Sequence, residues 1–412
     1  MMPNRVSSKA MDRRTVLKTG SLAALRLSLS GCAARASQPT RLSHAPLILP
    51  PIRASWGRVI RTTVGLRPHR RPGFLLKAEA FDAKTVIHNY GHGGAGISLS
   101  WGTGAMAADL ALQQEDRRAA VLGSGAVGLA AARQLQRRGF TVTIYAMAVP
   151  PDTTSNMAYA TFSPVSRLVS APSPAAWEGH FGTAVDIAYR QLQLLVGPRY
   201  GISWLDSYST MQSLPSTENS EKDVPDRTVD PPDNQAGDAR LDVASDTYSA
   251  DLPAYARSDR EILYPGEHPF PTPYAARRAS MRIEPSIYLD ALVREFHLLG
   301  GRTIIRKFET PRDLMSLSES IIVNCTGLGS LTLFSDEALI PVKGQLTFLV
   351  PQPEVNYEFA CMPRSDGIAL GSSGEWGTWT LEPNEEIRSR VVERAIERYG
   401  AMRPAERSDQ AR

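Results

Sequence analysis

The chain has 412 residues, 42% hydrophobic and 21% charged, which is enough for two or three domains with cores of their own. Its net charge of +4 is spread along the sequence instead of forming a basic block, which argues against a nucleic-acid partner. Cys32, Cys325 and Cys361 form neither a disulfide framework nor a CxxC pair, and His88 and His92 read as part of a glycine loop, so no metal site is expected.

Residues 1–50 read as an export signal and linker. Arg13-Arg14-Thr-Val-Leu-Lys18 looks like a twin-arginine signal, residues 21–30 are modestly apolar, and Leu29-Ser-Gly-Cys32 resembles a lipoprotein cleavage box with Cys32 as a lipid anchor. Arg26 interrupts the apolar run, and the alternative is a basic tail on a cytoplasmic enzyme. From Arg53 to Trp101 the pattern is short strands and turns ending in a glycine cluster, followed by a helix from Ala105 to about Gln114. A strand at Ala119–Leu122, a glycine turn, a helix to about Arg138 and a strand at Thr141–Tyr145 make a βαβ start.

Helical spacing recurs at Thr183–Val196, and residues 214–260 form a long polar excursion. Pro285–Leu299 reads as a helix closed by Gly300-Gly301. Strands are expected at Thr303–Arg306 and Ile321–Asn324, and antiparallel ones at Gln345–Val350 and Gly367–Gly371. The expected fold is α/β: a Rossmann-type nucleotide-binding domain with a second, mainly antiparallel β-sheet substrate domain. The nucleotide domain takes 51–164 and 301–340, the substrate domain 165–300 and 341–400, and 401–412 is a tail.

Gly123-Ser-Gly125-Ala-Val-Gly128 lies between a strand and a helix, where its glycines allow a tight turn, close approach of backbone to a pyrophosphate, and helix–strand packing. The second strand ends Ile144-Tyr145-Ala146-Met147, without the acid an NAD enzyme uses for a ribose. Thr153-Thr-Ser-Asn156 suits phosphate and ribose oxygens or, equally, a helix N-cap. The run from Gly91 to Gly102 offers a second glycine-lined backbone surface, and Arg67, followed by Pro68, could clamp a carboxylate or form a surface ion pair.

On these segments the chain resembles the D-amino-acid oxidases and their FAD-dependent relatives, over roughly residues 52–400. The most specific matches are Gly65-Leu-Arg-Pro68 and Ile87-His-Asn-Tyr-Gly-His-Gly-Gly94; others include Val323-Asn-Cys-Thr-Gly327, Val342-Lys-Gly-Gln345 and Pro363-Arg-Ser-Asp-Gly367. In that family the Arg-Pro and His-Gly-Gly segments close the chain. Here they precede the GxGxxG strand, so the sequence looks circularly permuted.

The resemblance implies bound FAD, with Gly123, Gly125, Ala126 and Gly128 at the pyrophosphate and Thr153, Thr154 and Ser155 at phosphate and ribose oxygens. It implies Gly93, Gly94, Gly96, Ile97 and Ser98 along the isoalloxazine, Arg67 on the substrate carboxylate, and the Gly94 carbonyl facing the amine. The implied activity is oxidation of a small amino acid to the imino acid, with oxygen as acceptor. Alternatives are a dehydrogenase of secondary amines or hydroxy acids that serves a quinone or carrier, and a flavin-binding pseudoenzyme.

Two positions depart from the family. Ala360 stands where the substrate tyrosine is expected, and Tyr159-Ala160-Thr161 replaces a glycine pair. Tyr357 either supplies the missing phenol or is an ordinary strand tyrosine.

Overall fold

The computed structural model describes residues 45–214, 252–371 and 373–403. Arg13, Arg14, Cys32 and most of the polar stretch read at 214–260 lie outside the described residues.

The chain runs β1 (Val59–Arg70), β2 (Leu75–Phe81), β3 (Lys84–Tyr90), α1 (Gly96–Leu112), β4 (Arg118–Leu122), α2 (Ala126–Arg137), β5 (Thr141–Ala146), α3 (Ala175–Leu194) and β6 (Ile202–Met211). Next come β7 (Glu261–Leu263), β8 (Tyr274–Ile283), α4 (Pro285–Leu298), β9 (Arg302–Ile305), β10 (Ile321–Asn324) and α5 (Gly329–Leu333). The last elements are β11 (Leu339–Leu349), β12 (Tyr357–Glu358), β13 (Cys361–Arg364), β14 (Gly367–Leu370), β15 (Glu375–Trp376) and α6 (Glu385–Gly400).

One sheet has the order β2-β3-β10-β4-β5-β9 and is parallel except for the hairpin strand β2. Its central strands are short, mostly apolar and buried apart from Arg118, as strands covered on both faces must be. One face packs on α1, α2 and α4 through Trp101, Leu129, Leu135 and Leu292. The other is covered by Leu314, Leu317 and Leu333. β10 lies between β3 and β4, parallel to both, so Asn324 stands beside His88 and Leu122. The loops after all three strands therefore open on the same edge.

The other two sheets are mainly antiparallel. β1 pairs along its length with β11, which also holds β14 and β15, and β13 closes that sheet. The remaining sheet is β12-β6-β8-β7. Arg67-Pro68 thus belongs to an antiparallel strand rather than to the nucleotide-binding sheet.

Several elements differ from the sequence expectation. α1 begins at Gly96, not Ala105. The sequence pattern ends its glycine run at Gly102 and leaves Gly104 before the expected helix, yet both lie inside α1, close against neighbouring backbone. A Cβ on Gly102 would stand 2.0 Å from the Ala184 carbonyl of α3, and one on Gly104 2.9 Å from the Ala131 nitrogen of α2. α3 likewise starts earlier, at Ala175, with Trp177 and Phe181 stacked in a separate apolar cluster. The long strands β6 and β8 were not anticipated, because their facing surfaces mix polar and small residues. α6 was also missed, although Asn384 caps it by accepting from the Glu386 and Ile387 amides. His88 lies on β3 rather than in the loop.

Gly102→Ala is expected to cost about 2 kcal/mol or more, since the clash is with backbone that cannot rotate away. Chemical denaturation measures this, and an unchanged midpoint would contradict the close α1–α3 contact.

Candidate active site

A cavity of about 1600 Å³ opens at the shared edge of β3, β10 and β4 and extends between the three sheets. It exceeds the ~300–1,000 Å³ of a typical small-molecule site. There is room for a dinucleotide together with a small second molecule. The residues to which the resemblance gives a cofactor or substrate role line it: Arg67, Gly93, Gly94, Gly96, Ile97, Ser98, Gly123, Gly125, Ala126, Gly128, Thr153, Thr154 and Ser155.

The first wall is the turn from β4 into α2. Gly123 has φ +102°, a conformation that side chains disfavour, and its N–H donates to the Tyr145 carbonyl at 2.7 Å. A Cβ on Gly128 would come 2.0 Å from the Gly123 carbonyl, so the helix can start this close to the strand only with glycine there. Ser155 Oγ accepts from the Ala126 amide at 3.0 Å, bringing the Thr153–Asn156 segment to the α2 N-terminus. Thr153 makes no side-chain cap bond; its hydroxyl donates to Asn156 Oδ1.

The second wall is the loop from β3 into α1. Gly93 has φ +54°, and a Cβ there would meet the Arg167 carbonyl at 1.9 Å. His92 is buried, hydrogen-bonds Thr103 at 3.0 Å and stacks on Phe74. Desolvation holds its pKa down to about 3, so the imidazole stays neutral near neutral pH and acts as packing for the loop. A Cβ on Gly96 would lie 3.9 Å from both His92 and Val127, so the two glycine surfaces are neighbours.

Arg67 connects these walls to the antiparallel sheet. The Gly93 N–H donates to the Pro68 carbonyl at 2.9 Å, and His69 forms a bridge with His92. The Arg67 guanidinium donates to the Ser373 carbonyl at 3.0 Å and crosses Gly344 so closely that a Cβ there would sit 2.3 Å from Nη1.

Other lining groups were not anticipated. Asn89 is fully buried, and neither atom of its amide has a hydrogen-bond partner among the described residues. Neighbouring His88 is fully engaged, with Glu79 at 2.8 Å and Asn324 at 3.2 Å, and burial lowers its pKa. Arg167 approaches the same 373–374 segment as Arg67, since a Cβ on Gly374 would be 3.2 Å from its Nε. Asn89 lies inside the His88–Gly94 segment without being given a role there, and Arg167 sits in no such motif. Burial pushes the Cys325 thiol far above its ordinary value, which makes it a poor nucleophile.

A family model described as "FAD dependent oxidoreductase" matches residues 118–411. The chain belongs to this family. A D-amino-acid oxidase from Streptomyces coelicolor is 26% identical over 302 residues, covering 71% of this chain and 79% of the relative. A human D-aspartate oxidase is 32% identical over 124 residues, 28% of this chain and 35% of that protein. Among solved structures, glycine oxidase from Geobacillus kaustophilus aligns with TM-score 0.44 at 16% identity, over 70% of this chain and 79% of its own. Iminodiacetate oxidase from Chelativorans sp. BNC1 aligns with TM-score 0.42 at 13% identity, over 69% and 79%.

The cofactor of this oxidoreductase is FAD, and the residues present fit it. Helix α2 begins at a turn open to close backbone approach, and the orphaned Asn89 amide needs a polar partner within the cavity.

The family's glycine-pair position has a visible consequence here. Ala160 is buried at φ +89°, where a Cβ is disfavoured. Such strain costs about 1–3 kcal/mol, while glycine's extra freedom in the unfolded chain offsets up to about 1 kcal/mol. Ala160→Gly is therefore expected to stabilise the protein by about 1 kcal/mol, read as a higher denaturation midpoint. A lower midpoint would show that the strain is absent.

Proposed function

We propose that this FAD-dependent oxidoreductase converts a small amino acid, either a D-amino acid or a glycine-like amine, to the imino acid, with oxygen as electron acceptor. The observation that carries this is the hydrogen bond from the Gly93 amide to the Pro68 carbonyl, because it ties the strand bearing Arg67 to the glycine loop. The names of the Streptomyces and human relatives support the substrate class.

FAD, once bound, supplies an acceptor for the hydride leaving the substrate. Gly123, Gly125, Ala126 and Gly128 would hold its pyrophosphate, and Thr153, Thr154 and Ser155 its phosphate and ribose oxygens. Gly93, Gly96, Ile97 and Ser98 would line the flavin ring. Arg67 takes the substrate carboxylate in two parallel hydrogen bonds, and the Gly94 carbonyl accepts from the amine. Together they fix Cα and hold the nitrogen lone pair ready to form the C=N bond. Catalysis of this kind rests on positioning more than on an acid–base side chain.

Tyr357 does not replace the missing phenol. It is buried, its hydroxyl donates to the Pro50 carbonyl at 2.8 Å, and it is not among the residues lining the cavity. Ala360 does line the cavity, and the space it leaves favours a second reading, a dehydrogenase of secondary amines.

The test is anaerobic titration of the yellow protein with D-amino acids, glycine derivatives and secondary amines, followed by reoxidation with air or dye. Bleaching by an amino acid and recovery in air are expected. Arg67→Ala should lower kcat/KM by about 100-fold, and Arg67→Lys should restore little of it, because an ammonium cannot make the paired bonds. Unchanged flavin reduction in Arg67→Ala would remove Arg67 from its role.

Two further proposals concern the chain as a whole. It is a circular permutation of the family's order: the family match begins at Arg118, the first residue of β4, and the motifs at 65–94 precede it. The 17-residue helix α1 spans about 25 Å at 1.5 Å per residue and returns from the cavity edge to the start of β4 through Gln113–Arg117. The leader is a twin-arginine export signal ending in a lipid-bearing Cys32, a proposal supported by the residue pattern alone. Expressed in a bacterium with this route, the protein should enter the membrane fraction and lose that location in Cys32→Ser. An equal distribution of both would refute the anchor.

A further inference from the structure

Among the described residues, three acidic ones line the cavity: Asp152, Glu309 and Glu358. Asp152 and Glu309 are exposed, whereas Glu358 is only 6% exposed. Its Oε2 is buried without a hydrogen-bond partner among the described residues. A buried carboxylate oxygen left in this way is expensive, and native structures keep one where something else completes it.

The backbone explains why Glu358 faces the cavity. Tyr357 and Phe359 belong to the apolar core behind the sheet, with Phe270 and Tyr399. Their alternates, Glu358 and Ala360, line the cavity. β12 pairs with β6 so that Glu358 stands opposite Ser207, which in turn faces Arg278 on β8; both also line the cavity. The carboxylate is two residues from the position where the substrate tyrosine of related enzymes has become alanine. Losing the phenol opens space beside a carboxyl group with one oxygen left without a hydrogen bond.

We propose that Glu358 determines substrate specificity by binding a cationic group on the substrate's side chain, an ammonium or a guanidinium. This rests on the amino-acid oxidase reading above. The substrate carboxylate belongs to Arg67, and Glu358 provides the site's buried negative charge for the far end of the molecule. A side chain of equal length without charge leaves Glu358 unpaired and is disfavoured, the kind of discrimination a buried polar group produces best.

The experiment compares D-lysine with D-norleucine, its uncharged analogue, on the flavin-loaded wild type and on Glu358→Gln. D-lysine is cationic at neutral pH because its side-chain pKa is about 10.4. The expected result is a wild-type preference for D-lysine of roughly tenfold to a hundredfold in kcat/KM. Glu358→Gln should abolish it while D-norleucine changes less than about threefold, and Glu358→Asp should retain part of it.

Spectral titration of the bound flavin gives dissociation constants for both ligands, whether or not either is oxidised. If neither is turned over, oxidation of these D-amino acids fails, and a surviving, Glu358-dependent binding preference for D-lysine still supports the assignment. Equal wild-type affinity for the two ligands overturns it. So does an equal loss for both in Glu358→Gln with flavin retained, which would make Glu358 only a counter-charge to Arg278. Should Glu358→Gln lose flavin, the wild-type and Glu358→Asp preferences decide.

Discussion

β10 is only four residues long, yet the site depends on its pairing in parallel with β3 on one side and β4 on the other. A parallel ladder obliges neighbouring strands to end at the same edge. The loops after β3 and β4 therefore meet, although a complete helix separates them in the chain. Each loop is rich in glycine, so backbone rather than side chain forms the cavity surface. The bond from Gly93 to the Pro68 carbonyl then attaches the antiparallel sheet to this edge and fixes where Arg67 can reach.

Buried polar groups in and around the cavity fall into two kinds. His88, Asn324 and Ser330 hydrogen-bond with one another and with half-buried Thr326 and Glu79, and His92 is matched with Thr103. Such networks stiffen the loops they sit beneath. Asn89 and Glu358 are buried as deeply but have atoms left unpaired, and both line the cavity. One belongs to the wall nearest the glycine loops, the other to the sheet across the cavity. The satisfied groups hold the frame, and these two unsatisfied ones lie on its cavity side.

The departures from the family have different physical weight. Ala160 retains a backbone conformation suited to glycine and carries the strain of a Cβ, which changes stability but little of the cavity. Ala360 also has a positive φ, yet its main effect is subtraction, since a phenol's volume and hydroxyl are absent from the wall. Tyr357 cannot compensate because its hydroxyl is already committed behind the sheet.

Local features were legible from the residues alone. The GxGxxG turn with its flanking strand and helix follows from short-range sterics and apolar periodicity, and so does the helix opening at Pro285. The family's motifs identified the residues that line the cavity, including Arg67 and the glycines at 93–96. Tertiary structure alone decided what depends on distant partners. Gly102 and Gly104 fall outside the expected helix because propensity is a local quantity, yet both lie inside α1, close against Ala184 and Ala131. The Arg67 strand reads as a flavin-domain element until its ladder with β11 is seen. Glu358 carries no motif, and the motif around Asn89 does not single that residue out; both are buried with side-chain atoms left unpaired, a property of the packed chain that no stretch of sequence contains.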